Sequence, residues 1–160
     1  MLLFLLPLWC QLIKTINMNV NELRLGNVVK TSTGCFSVYA ISAPMPNKDE
    51  RFNDKAVITL RSNDLFNVTE DMIEPIPLTV ELILIHDFKK SEMDLIPEVT
   101  IYEKEVDGKL IELSMFDDGN WYAHIDDEWR STIGGCFVSS MHELQNLCAL
   151  CGIEKVFKSC

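Results

Sequence analysis

Apolar positions along the chain follow two periods, and the switch between them divides the sequence. From Leu25 to Ile76 they come in short β-rich runs broken by turn residues. Leu25, Val28 and Val29 flank Gly26-Asn27, and Thr31-Ser32-Thr33-Gly34 reads as a turn. Phe36, Val38 and Tyr39 to Ile41 form the next run. The polar stretch from Pro44 to Asp54 holds two prolines and reads as a loop. Ala56 to Leu60 and Leu65 to Val68 follow as strands. A one-turn break at Thr69-Glu70-Asp71 then precedes Ile73 to Ile76. Five short strands with such a break before the last predict a small SH3-like β-barrel over residues 18–78.

Residues 79–160 read differently. Thr79 caps a helix carrying Leu82, Ile83, Ile85 and His86, closed by Phe88 and two lysines. An antiparallel meander follows. Val99 and Ile101 alternate with polar neighbours, and Asp107-Gly108 has the chemistry of a two-residue hairpin turn. Ile111, Leu113 and Met115 share one face of a strand, as do Trp121, Ala123 and Ile125 of the next. Gly134-Gly135 leads into a short strand at Cys136-Phe137-Val138. The last element is a helix. Ser140 and Glu143 have capping-box spacing, Leu144, Leu147, Cys148 and Cys151 form an apolar stripe, and Gly152 ends it. The fold class predicted is therefore α+β: a barrel, a linking helix, a meander and a C-terminal amphipathic helix. The two parts are expected to pack as one unit.

Residues 1–17 stand apart. The apolar run is about a dozen residues long, short of the roughly 20 that span a bilayer, and Pro7 interrupts it. No basic residue precedes it and no small-x-small cleavage site follows. Met18 is the expected natural start, with a signal or anchor as the competing reading.

Three stretches, taken in order, carry a resemblance. They are Asn21-Glu22-Leu23-Arg24-Leu25-Gly26-Asn27-Val28, Ile73-Glu74-Pro75-Ile76-Pro77-Leu78-Thr79, and His142-Glu143-Leu144-Gln145-Asn146-Leu147 with Ala149, Leu150 and Gly152. Together they resemble a family of uncharacterised small proteins of gut bacteria and their phages, over roughly residues 18–155. The resemblance implies an accessory role in a phage or mobile element and brings no known activity. This chain departs from the pattern at Cys148 and Cys151 and in the longer loop around Pro44–Asp54.

Charge narrows the partner classes. The chain has 24 acidic and 14 basic residues, a net of −10. The acidity sits in the middle, with 17 acids against 4 bases over residues 68–128. Such a surface disfavours direct binding to nucleic acid or to an anionic membrane. It raises the alternative of an acidic inhibitor that presents carboxylates in place of phosphates, provided those carboxylates form one stripe.

Candidate chemistry is sparse. Cys148 and Cys151 form a CxxC in the last turn of a helix, whereas redox pairs use the first turn, and both fall on the apolar stripe. A metal site there would need Cys136, His142 or Cys160 as well, and His142 faces away. Asp117-Asp118 and Asp126-Asp127 are turn residues. No catalytic residue, cofactor or metal ligand is therefore assigned. A small hydrolase or metal enzyme with a cleft between the two halves remains a third reading. Free thiols in a reducing cytoplasm are the simplest account of six cysteines. The function expected is protein interaction without catalysis. The candidate partner-binding residues are His142, Gln145 and Asn146 on the polar side of the last helix, and the aromatics Phe36, Tyr39 and Phe52. Internal hydrogen bonding to strand ends is the competing use of the three helix residues.

Overall fold

A computed structural model of the chain describes residues 18–46, 49–92 and 97–157. The leader 1–17, Cys160 and part of the loop from Pro44 to Asp54 lie outside those residues. No helix among them is long and apolar enough to cross a membrane.

The chain makes two antiparallel sheets, each with its own core. In the first, β1 (Val28–Thr31), β2 (Gly34–Ser42), β3 (Val57–Arg61) and β4 (Leu65–Thr69) are neighbours in chain order. Val29, Val38, Ile58 and Leu60 point to one side and are buried there with Met18, Leu23, Val68 and Ile73. A bulge between Val38 and Ala40 shifts the register of β2 on β3.

The barrel expected over residues 18–78 is not shown, because the sheet does not close. After the 3₁₀ turn Glu70–Met72, the chain returns to β1 but meets it at one bridge only. Lys30 and Glu74 exchange backbone hydrogen bonds of 3.0 and 2.8 Å. Prolines on either side of Ile76 explain why the pairing stops. Pro75 and Pro77 have no N–H to donate, so a fifth strand cannot extend past Glu74.

The second sheet follows α1 (Val80–Ile85), whose cap Thr79 accepts from the Leu82 N–H at 3.1 Å. Its order is β5 (Lys89–Lys90), β6 (Val99–Val106), β7 (Lys109–Phe116), β8 (Trp121–Asp126) and β9 (Thr132–Val138). The two lysines expected to close the helix instead form β5, since Asp87 at φ 68° ends the helical path. Asp107 and Gly108 have φ of 51° and 76°, the double positive φ that a primed hairpin turn requires.

Alternation divides this sheet into two faces. Tyr102, Ile111, Leu113, Trp121, Ala123, Ile125 and Val138 form the inner face, buried against α1, α2 (Met141–Leu150) and the segment through Val156. β9 runs straight through Gly134 and Gly135 rather than starting after them, and both glycines are there for packing. A Cβ on Gly134 would lie 2.6 Å from Cys151 Sγ, and one on Gly135 would lie 2.7 Å from the Tyr122 hydroxyl. The first lets α2 approach the sheet, and the second lets the Tyr122 ring lie across β9.

The close approach at Gly134 yields a test. Gly134→Ala is expected to cost about 1–3 kcal/mol by overpacking. Cys151→Ala removes the obstructing sulfur, so the double variant should lose less than the two single losses added together. Urea unfolding of all four proteins in a double-mutant cycle measures this, and strict additivity would show that the contact is not the cause.

Candidate interaction surfaces

Helix α2 starts where the sequence places it. Ser140 is the cap, and Glu143 accepts from its N–H at 3.1 Å. Its apolar stripe enters the second core through Leu144 and Cys148, both fully buried, with Leu147 and Cys151 packed at the margin. Burial pushes the Cys148 thiol up to about 12 and also raises Cys151. Both are thiols at neutral pH and act as packing groups.

The polar side of α2 is used within the chain. Gln145 Oε1 accepts from the Val28 N–H at 2.9 Å, and its Nε2 reaches the Gly26 carbonyl at 3.4 Å. Asn146 Nδ2 donates to the Glu22 carbonyl at 2.6 Å, and its Oδ1 accepts from Asn27 Nδ2 at 3.1 Å. Asn27 Oδ1 in turn accepts from the Arg24 N–H at 2.7 Å. These bonds fasten α2 to the start of β1. His142 is buried beside them, with Nδ1 2.8 Å from the Ser140 hydroxyl and no hydrogen-bond partner at Nε2. Gln145 and Asn146, both half-buried, therefore join the two sheets, and His142 is buried without a bond to the first sheet.

The three aromatics are not gathered into one patch. Phe36 packs edge-on against Phe66, with centroids 4.8 Å apart, at the margin of the first core. Tyr39, at the bulge and exposed, lies 4.2 Å from the Arg61 guanidinium. Phe52 sits in the 3₁₀ turn Glu50–Phe52, with Arg51 5.4 Å from its ring.

A surface that the sequence reading missed is the outer face of the second sheet. Register places Ile101, Ser114, Tyr122 and Phe137 in one row across β6 to β9. Phe116 adjoins that row. Tyr122 meets Phe137 edge-on at 5.2 Å, and Phe116 lies 6.2 Å from Phe137, which is 67% exposed. None of these side chains belongs to either core. The next row runs Lys89, Glu103, Glu112, His124, and the one beyond it runs Glu105, Leu110, Asp126. Glu103 and Glu112 stand directly opposite each other, an arrangement of like charges that destabilises a sheet. Burial, then repulsion from Glu103 and Asp126, raises the Glu112 carboxyl despite nearby His124 and Arg130. The alternation that defines the inner face implies this outer set. Only the pairing register shows that the aromatics adjoin one another.

The outer face also holds residue types found in hydrolases, but in the wrong geometry. Thr132 Oγ1 and Asp126 Oδ1 both lie 2.8 Å from the same nitrogen of His124, Nε2. A nucleophile–base–acid relay needs the hydroxyl and the carboxylate on opposite ring nitrogens. Asp126 Oδ1, although close to that nitrogen, makes no well-formed hydrogen bond with it.

The cleft between the halves has a volume of about 360 Å³ and lies beside β9. Its titratable lining includes Glu22, Arg24, Cys136 and Glu143. Glu143 is held by the Ser139 and Ser140 N–H groups, and burial raises the Cys136 thiol. Neither is poised as a nucleophile or a base. Among the described residues no group of three His, Cys, Asp or Glu converges as a metal site. Comparison with known proteins finds no family model, no curated protein and no solved structure that matches this chain.

Two predictions follow from the α2 junction. Gln145→Ala strands the buried Val28 N–H and should cost about 1–3 kcal/mol. Hydrogen exchange should show the Val28 amide losing protection before amides of β7 do; unchanged Val28 protection would contradict the contact. The second concerns pH. Burial lowers the pKa of His142 below its ordinary 6.5, against the opposing pull of Glu143 and Glu22. The folded state therefore favours the neutral ring. The stability that neutrality supports is full above 6.5 and falls as pH drops below it. His142→Leu should flatten the stability slope between pH 7.5 and 5.5, as read by urea midpoints; an unaltered slope would remove His142 as the cause.

Proposed function

We propose that this chain is a non-enzymatic interaction protein, and that the outer face of its five-stranded sheet is where a protein partner docks. The observation that carries the reading is the adjoining set Phe116, Tyr122 and Phe137, which lies outside both cores. A contiguous apolar patch rimmed by polar residues is a feature of protein interfaces, where Tyr and Phe are enriched. The resemblance of three stretches to small proteins of gut bacteria and phages supports an accessory role in a phage or mobile element. The net charge supports a protein rather than a nucleic acid or an anionic membrane as partner. Free thiols at Cys35, Cys136, Cys148 and Cys151 support a reducing cytoplasm.

The SH3-like description belongs to this proposal too. Four strands in chain order, a 3₁₀ turn and a return to β1 at Glu74 are consistent with a barrel that has lost most of its fifth strand. The phosphate-mimic alternative has less support. Glu70, Asp71 and Glu74 follow the first sheet, Glu81 lies on α1, and Asp117 and Asp118 lie in the β7–β8 turn, so the acidic residues are divided among several elements. Lys30 and Lys55 also pair with Glu74 and Asp71.

The test is affinity capture by residues 18–160 from a host lysate, with nuclease present, beside Phe137→Lys. Phe137 is exposed and outside both cores, so the variant should fold with stability within about 0.5 kcal/mol of the parent. A partner retained by the parent and reduced at least about tenfold by the variant is the expected result. Equal capture by both would place the interface elsewhere.

A further inference from the structure

The chemistry of the partner can be read from the same face, an inference that rests on the docking surface just proposed. The apolar row and the row of Glu103 and Glu112 are two residues apart along each strand, roughly 6.6 Å. A helix, about 10 Å across, that lies on Phe116 and Tyr122 therefore also reaches the carboxylate row at Glu112. Covering those carboxylates with neutral groups would strip water from like charges that already face one another, at a cost set by their desolvation. Arginine or lysine side chains would replace that water and relieve the repulsion as well. A second copy of the chain is a poor occupant, because Glu103, Glu105, Glu112 and Asp126 outnumber the adjoining Lys89 and Arg130, and two such faces would set net negative charge against its like.

We infer that the outer face of the second sheet takes a cationic amphipathic segment of another protein. Its apolar side chains lie on Phe116, Tyr122 and Phe137, and its basic groups lie over Glu103, Glu112 and Asp126. A helix suits this spacing, since residues four apart on one face are about 6 Å apart along its axis.

The experiment is a titration of the labelled full chain, followed by amide NMR shifts, with two short synthetic helical peptides. One is made of leucine and arginine, and the other replaces every arginine with glutamine. The expected result is saturable binding of the arginine peptide, with shifts centred on Ile101, Glu112, Tyr122, His124 and Phe137. The joint variant Glu103→Gln, Glu112→Gln should weaken that binding by about tenfold or more. Glu81→Gln, on α1, should leave it unchanged. Loss of the repelling pair should not impair folding, and the shifts of the inner-face amides check this. Equal binding of both peptides on this face would overturn the cationic inference and leave the docking surface standing. Shifts scattered over other surfaces, or affinity indifferent to the double variant, would also overturn it. No shift on this face with either peptide would remove the inference and the docking surface together.

Discussion

The contact on which the relation of the two sheets depends is the set of hydrogen bonds that Gln145 and Asn146 make with the backbone of Glu22, Gly26 and Val28 and with the Asn27 side chain. Helix α2 gives its apolar stripe to the second core and its amide side chains to the edge of the first sheet. Asn27 is the pivot, buried and bonded both to Asn146 and to the Arg24 N–H. Side-chain amides suit this task because each carries a donor and an acceptor and can satisfy two backbone groups at once. The cost of their burial is offset by the N–H and C=O groups they satisfy. His142 is the exception in the cluster, since its Nε2 is buried without a partner.

The separation of labour between the faces of the second sheet follows from this arrangement. With α1, α2 and the C-terminal segment all on the inner face, the outer face keeps its aromatics and carboxylates outside the cores. Gly135 shapes that face by leaving room for Tyr122, and Tyr122 then contacts Phe137. A glycine in a strand interior weakens the strand, so its presence here signals that the close ring approach takes precedence.

Much of the fold is legible in the sequence because its signals are local. The Asp107-Gly108 turn, the Thr79 cap, the Ser140–Glu143 start of α2 and the inner faces of β7 and β8 each follow from residues within a few positions of one another. The closure of the first sheet is a non-local property, and the strand-like pattern at Ile73–Ile76 conceals that Pro75 and Pro77 lack the donors a closing strand needs. For the candidate site, the sequence identified Gln145 and Asn146 as a coherent polar face but not what they would touch. The backbone of Gly26 to Val28 is more than a hundred residues away and carries no side-chain signature of being an acceptor or donor in need. The outer face was hidden for a related reason. Tyr122 and Phe137 become neighbours only through a strand register that no single strand encodes.

The span of the α2 junction bears on how the chain is made. Asn27 and Asn146 are 119 positions apart, so the loop that their bond closes encloses most of the molecule. Closing a loop of that length has an entropic cost that must be met by contacts already formed. During synthesis, β1 emerges long before the helix that will satisfy the Val28 N–H. The first sheet therefore waits for the end of the chain to complete its edge, and a ribosome stalled before residue 140 would present that edge unfinished.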